Sequence, residues 1–259
     1  MSSWIPGFEV LEGPDATGVP MRYRARREPD GVPAWIRIDG YDPASGAEAR
    51  TAAEIYAATA LFDHPALPTV LGYGSTEIPG RPFIAFQSAP SLPRGTPQRR
   101  PAPDLLVLLA EIQLAALECG FAGVHLPARE LQRLRDGERV EGRRLAICEF
   151  LCEPVTLSGG SSYGALGPAE EWRPFTAPEL ASAAAGGSPG AAVAYRLAAQ
   201  VHFLFEGTPP PPDAGAPGPA EDDHDVARRL ARLGLSRSPS RRPPLECFVT
   251  LELPRSPPA

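Results

Sequence analysis

Two short segments constrain the fold of this chain more than any other feature. The first, Gly123 to Leu134, has the sequence G-V-H-L-P-A-R-E-L-Q-R-L, and the second, Leu145 to Leu151, is an apolar run that carries a carboxylate at Glu149. Only ten residues separate them. A leucine-rich stretch from Asp104 to Glu118 precedes both segments, and it is apolar enough to form a helix deep inside a domain. The order and spacing of these features fix a register for the rest of the chain.

In that register, the two segments resemble the catalytic loop and the metal-binding segment of eukaryotic-type protein kinases, which include the bacterial Ser/Thr kinases. In that family the motif H-R-D-L-K-P-E-N is followed by a hydrophobic run into D-F-G. Further motifs follow in the family's order, at Ala34–Ile38 for V-A-I-K, Ala177–Glu179 for A-P-E and Pro239–Pro243 near the family's end. The resemblance covers nearly the whole chain. It implies an α+β fold of two lobes, a small β-rich amino-terminal lobe and a larger helical carboxy-terminal lobe.

The resemblance also implies one domain over all 259 residues, a length that suits a two-lobed domain. Its expected parts are an amino-terminal lobe (1–88), a hinge (89–100), a carboxy-terminal lobe (101–253) and a disordered tail (254–259). The local patterns predict strands at Phe8–Leu11, Met21–Arg26 and Ala34–Asp39, and helices at Glu48–Phe62, Asp104–Glu118 and Ala191–Phe205.

The positions that would bind a nucleotide are altered. The resemblance places vestigial nucleotide-binding positions at Gly13, Gly18, Arg37, Glu54, Phe86, Gln87 and Ser88. Asp15 replaces the middle glycine of the phosphate loop, where a carboxylate would repel phosphates; a plain β-turn is the alternative for this loop. The sequence contains no lysine, so Arg37 stands at the family's lysine position. Glu54 could pair with Arg37 or could simply lie on a solvated helix face.

The positions that would perform phosphate transfer are altered as well. Pro127 replaces the catalytic Asp, and proline has no side-chain acceptor for a proton. Arg129 falls at the catalytic-loop lysine. At the two metal positions, Gln132 and Glu149 keep the functional groups of Asn and Asp on stems one methylene longer, which suits Mg²⁺ poorly because this ion requires near-ideal octahedral geometry. No residue is therefore expected to be catalytic.

Residues that the family uses for packing are present. His125 and Phe150 match positions that stack in the core between the lobes, so we expect the two side chains to touch. Glu179 and Arg242 match the ion pair that ties the activation segment to the carboxy-terminal lobe. The loss of reacting groups alongside the survival of packing groups predicts a non-catalytic kinase-like domain.

Such a pseudokinase would act as a binding, scaffolding or allosteric module in signalling. Its expected partners are proteins, among them an active kinase or the substrate of one, and no cofactor is expected. The alternative is a weakly active, ATP-dependent Ser/Thr kinase that uses Arg37, Gln132 and Glu149 as imperfect substitutes, in which case ATP and Mg²⁺ would bind.

Composition excludes several other classes of protein. The net charge of −6 gives no reason to expect binding to nucleic acid or to an anionic membrane. No apolar run reaches the roughly 18 residues of a membrane-spanning helix. A cytoplasmic location is the default expectation, and free thiols are therefore expected at all four cysteines: Cys119, Cys148, Cys152 and Cys247.

Overall fold

A computed structural model of the protein describes residues 4–14, 20–39, 46–77, 80–88, 101–137, 144–154, 173–181, 188–211 and 225–254. Several positions singled out in the sequence lie outside these ranges. They are Asp15 and Gly18 of the glycine loop, the hinge segment 89–100 and residues 255–259 of the tail.

The amino-terminal lobe is built on a five-stranded antiparallel sheet. Its strands are β1 (Phe8–Glu12), β2 (Met21–Arg27), β3 (Pro33–Ile38), β4 (Val70–Ser75) and β5 (Pro82–Gln87), arranged in the order β1-β2-β3-β5-β4. Along β2, Tyr23 and Ala25 are buried while Arg24 and Arg26 are exposed, as expected for a strand with one face on a core. The three strands predicted from the sequence correspond to β1, β2 and β3.

Six α-helices occur in the described residues, besides three short 3₁₀ helices at Arg173–Phe175, Pro178–Ala181 and Pro239–Arg241. The α-helices are α1 (Gly46–Leu61), α2 (Pro103–Glu118), α3 (Ala128–Arg135), α4 (Pro189–Glu206), α5 (Val226–Gly234) and α6 (Leu245–Thr250). The core of the carboxy-terminal lobe lies around α2 and α4. Ser188 caps α4 by accepting a hydrogen bond from the Ala191 N–H, and Gly207 ends it in the left-handed conformation at φ 76°. Within the described ranges, no helix is both long and apolar enough to cross a bilayer.

A two-stranded sheet connects the segment Gly123 to Leu134 with the segment Leu145 to Leu151. Strand β6 (Phe121–His125) pairs antiparallel with β7 (Leu151–Pro154), and His125 lies opposite Leu151. Continuing this register brings the residues after His125 alongside those before Leu151. The pairing therefore places the Pro127 and Glu149 regions next to each other.

The segment from Gly123 to Leu134 differs from the expected catalytic loop. Only its beginning is strand, and residues from Ala128 onward form helix α3, which ends at Arg135 and is followed by the C-cap residue Asp136. The sequence A-R-E-L-Q-R-L-R consists of good helix formers, and Leu131 and Leu134 bury one face of the helix. The local sequence therefore forms a helix over most of the segment that resembles the family's catalytic loop.

Candidate functional site

Glu149, at the vestigial metal position, is held by arginines from the opposite lobe. Its Oε1 accepts a hydrogen bond from Arg22 Nε at 2.8 Å and also contacts Arg22 Nη2, while Arg37 Nη1 lies 3.7 Å away. The Glu149 side chain is only 4% exposed. Burial raises the pKa of this carboxyl, but the positive charges of Arg22 and Arg37 outweigh burial and leave the pKa below its ordinary value. Glu149 is thus an ionised group that already has its counter-charges.

Arg37 has a second partner in Asp39, at the end of the same strand. Arg37 Nη2 donates to Asp39 Oδ1 at 3.0 Å, and the hydroxyl of Tyr56 on α1 donates to Asp39 Oδ2. Burial raises the pKa of Asp39 despite the attraction of Arg37. We call Arg22, Arg37, Asp39, Tyr56 and Glu149 the cleft cluster. In it two guanidinium groups face two carboxyl groups.

Glu54 does not take part in the cleft cluster. Its side chain is exposed on α1, whereas Arg37 is 1% exposed. Of the two alternatives left open for Glu54, the structure shows the solvated helix face. Two positions along a helix turn a side chain by about 200°. That rotation brings Tyr56 to the sheet instead of Glu54.

Gln132 and Glu149 are not brought together as a pair of metal ligands. Gln132 Nε2 donates to Asp136 Oδ1 at 2.7 Å along the exposed side of α3. Elsewhere in the described part of the chain, no group of three or more His, Cys, Asp and Glu side chains is arranged to hold a metal ion. The helical conformation of α3 directs the Gln132 amide toward the next helical turn.

Glu130 is a charged residue of this region that the sequence analysis missed. It is fully buried at the start of α3, where its Oε2 accepts the Cys148 N–H at 2.8 Å. Arg129 Nε lies 3.3 Å from Oε1, and Arg133 Nη1 lies 3.6 Å from Oε2. Burial is the main cause that raises the pKa of Glu130, to about 7, and the negative charge of Glu149 is the second cause. A helical reading of the sequence would have found it, since Glu130 shares a face with Leu134.

The raised pKa of Glu130 makes stability depend on pH. The folded state binds this proton more tightly than the unfolded state, so the stabilisation is complete below about pH 4.5 and is lost as the pH rises through about 7. Glu130→Gln mimics the protonated form. We expect the variant to gain stability relative to the unsubstituted protein between pH 5 and 8, by up to about 3 kcal/mol at about 1.4 kcal/mol per pKa unit. Urea denaturation across this range measures the difference.

Two features make this comparison specific. His125, with its lowered pKa, opposes Glu130 in the acidic range, but both proteins contain it and its effect cancels in the difference. Glu54→Gln, at an exposed carboxylate, is the matched control and should run parallel to the unsubstituted protein. A Glu130→Gln profile that is also parallel would contradict the assignment of Glu130 as the titrating group.

His125 lies in the core beside a second buried ion pair. Burial and the nearby Arg196 lower the pKa of His125 to about 4, so the ring is neutral near pH 7. Its Nε2 lies 3.7 Å from Glu153 Oε2, which accepts a hydrogen bond from Arg196 Nη2 at 2.9 Å. Phe150 packs against Phe86, with ring centroids 5.4 Å apart. The contact of His125 with Phe150 stays a prediction.

The remaining predicted residues have these positions. Glu179 and Arg242 are brought together: Arg242 Nη2 donates to Glu179 Oε2 at 2.7 Å, and its Nη1 contacts Oε1. Gly13 is exposed just after β1. At the end of β5, the side chain of Gln87 is exposed, and Ser88 N–H donates to the Pro33 carbonyl at 2.9 Å.

Comparison with known proteins identifies the fold. No protein-family model and no curated protein matches the sequence. Solved structures do match, among them the Mycobacterium tuberculosis PknI kinase domain, with 18% identity, a TM-score of 0.55 and coverage of 96% of both chains. A second crystal structure of that domain has 16% identity and a TM-score of 0.51, covering 97% of this chain and 98% of that chain. A double mutant has 20% identity and a TM-score of 0.53, with 97% of both covered.

These similarities confirm the predicted two-lobed, kinase-like α+β fold. At such identities they carry no statement about chemistry, which rests on the residues themselves. The side chains at the two positions that would hold Mg²⁺ already have partners within the protein. Glu149 is occupied by Arg22 and Arg37, and the amide of Gln132 is bonded to Asp136.

Proposed function

We propose that this protein is a pseudokinase, a kinase-like domain that binds other proteins and does not transfer phosphate. One observation carries the proposal: Glu149 Oε1 is held by Arg22 and Arg37 inside a buried cluster. Phosphoryl transfer needs a carboxylate free to hold metal ions that neutralise the phosphates. A carboxylate already paired with two guanidinium groups does not meet this need.

The residues around Glu149 support the same proposal. Pro127 is buried at the position of the general base and has no side-chain acceptor, and a general base contributes roughly 10²–10⁴-fold to rate. The segment that resembles the catalytic loop forms α3, in which Arg129 Nε lies 3.3 Å from the buried carboxylate of Glu130. Metal binding at Glu149, proton acceptance at Pro127 and phosphate contact at Arg129 are therefore all affected.

The proposed partners are proteins, in particular an active kinase or its substrate. The buried Glu179–Arg242 pair and the packed core support this proposal, because they maintain a kinase-like surface. The groups that would react differ from those of the family. The proposed setting is the cytoplasm. The four free cysteines suit a reducing compartment.

We expect no phosphate incorporation into generic protein substrates and no Mg²⁺-dependent binding of ATP at micromolar concentration. The physical reason is that Mg²⁺ and phosphates would have to separate Glu149 from Arg22 and Arg37 in a site that excludes water. Radiolabel transfer measures the first expectation. Thermal shift with ATP, with and without Mg²⁺ or Mn²⁺, measures the second.

The weakly active kinase is the alternative, and Glu149→Ala and Pro127→Ala separate the two. Micromolar ATP affinity that strengthens with Mg²⁺ and falls in Glu149→Ala would overturn the proposal and make Glu149 a working metal ligand. Phosphate incorporation that persists in Pro127→Ala would also overturn it, and would place the chemistry on residues outside the family's catalytic positions.

A further inference from the structure

The cleft cluster connects the two lobes through a single carboxylate oxygen. Arg22 on β2 and Arg37 on β3 come from the amino-terminal lobe, whereas Glu149 lies just before β7 in the carboxy-terminal lobe. Arg22 Nε donates to Glu149 Oε1 at 2.8 Å, Arg22 Nη2 contacts the same oxygen, and Arg37 Nη1 lies 3.7 Å from it. The charged groups of both lobes therefore meet at one atom.

Burial makes this contact different from an ordinary surface ion pair. The side chains of Arg22 and Glu149 are 11% and 4% exposed. On the same strand, Arg24 pairs with Glu12 at 3.3 Å, but these side chains are 54% and 63% exposed and lie within one lobe. Exposed pairs contribute little to stability, whereas removing one partner of a buried pair leaves an uncompensated charge. Arg22 and Arg24 thus form a natural comparison.

In a phosphotransferase, phosphates and metal ions lie between the groups that occupy these positions. We infer that Arg22 is an internal latch: its guanidinium takes the place of that charged ligand and holds the lobes together without a nucleotide. This inference rests on the proposed function and adds how the domain keeps one shape for its partner. The arrangement of the two lobes that a partner protein binds is then independent of nucleotide concentration.

A latch predicts coupling between the lobes, which distinguishes it from a local packing role. If Arg22 acts through Glu149, removing either residue breaks the same contact and exposes the same backbone segments. If Arg22 only stabilises the sheet around β2, its removal leaves the segment around Glu149 unchanged. The quantity that distinguishes the two roles is therefore the rate of amide hydrogen exchange in β2 and in residues 145–151, compared across a double-mutant cycle.

The test is amide hydrogen exchange by mass spectrometry on the full chain without nucleotide, in Arg22→Ala, Glu149→Gln and the double variant. We expect each single substitution to speed exchange at least about tenfold in both β2 and residues 145–151, because a charge-assisted hydrogen bond is lost. We expect the double variant to exchange no faster than either single variant. Where Arg22→Ala does not fold, Arg22→Lys, which keeps the charge but not the planar fork, gives the same comparison.

One further variant completes the experiment. Arg24→Ala, which removes a partner from the exposed pair, should leave exchange in residues 145–151 unchanged. Additive effects in the cycle, or an Arg22→Ala effect no larger than that of Arg24→Ala, would overturn the latch.

This result is separable from the proposed function. Binding of ATP with Mg²⁺ by the unsubstituted protein would contradict the pseudokinase proposal, yet the nucleotide-free cycle would still report on the latch. An additive cycle in a protein that binds no nucleotide would remove the latch and leave the pseudokinase proposal in place.

Discussion

Arg242→Ala is expected to destabilise the protein by about 3–5 kcal/mol, the usual result of breaking a buried ion pair from one side. The Arg242 side chain has no exposed area, and that of Glu179 is 4% exposed. Besides its two contacts with Glu179, Arg242 donates to the carbonyls of Ala191 at 2.9 Å and Ser236 at 2.8 Å. Loss of the guanidinium leaves the buried Glu179 carboxylate without its counter-charge and two backbone carbonyls without their hydrogen-bond donor. Urea denaturation followed by circular dichroism measures the loss.

A matched pair of carboxylate variants isolates the effect of burial. Glu179→Gln removes the negative charge from the buried pair and should also cost several kcal/mol. Glu206→Gln removes the negative charge from an exposed pair with Arg228, in which the Glu206 side chain is 45% exposed. This variant should lose less than about 1 kcal/mol of stability. Equal losses at the two positions would show that the Glu179–Arg242 pair does not anchor the carboxy-terminal lobe.

The order of motifs along the sequence was sufficient to predict the fold. The local patterns predict the same architecture as the motif order. Burial alternates along β2 and follows one face of α1, and α2 and α4 are as apolar as buried helices should be. Ile55 and Thr59 are buried on one face of α1, and Phe62 is buried directly after its end, as the 3.6-residue period predicts. Packing positions were predictable because they depend mainly on side-chain size and periodicity.

The charged cleft was not predictable in the same way. Motif positions left open whether Glu54 pairs with Arg37, and the rotation of α1 turns Tyr56 toward Asp39 instead. Nothing in the sequence singled out Arg22, because its role depends on a residue 127 positions away. Long-range pairing of charged side chains follows from how the lobes meet, which local pattern does not encode. Helix α3 was not predicted either, although its sequence consists of good helix formers.

Gly123 occupies the most constrained backbone position of β6. Its φ of +111° lies in the region that favours glycine. A Cβ built there would come within 2.6 Å of Arg196 Nη1 and 2.8 Å of Gln113 Oε1. Both atoms already serve β6, since Arg196 Nη1 donates to the Ala122 carbonyl at 2.6 Å and Gln113 Oε1 accepts the Val124 N–H at 2.9 Å. The glycine lets two buried polar side chains close on the strand.

Gly123→Ala is therefore expected to cost about 2–5 kcal/mol, the sum of backbone strain and overpacking at one residue. Gly120→Ala is the matched control, because φ there is +82° but the added Cβ would meet no atom within 4 Å. That variant carries backbone strain alone and should cost about 1–2 kcal/mol. Thermal and urea denaturation of both variants give the comparison. Equal losses would mean that strain accounts for the whole effect and that Arg196 and Gln113 move aside freely, whereas a larger loss at Gly123 locates the added cost in the polar network that holds β6 beneath the cleft.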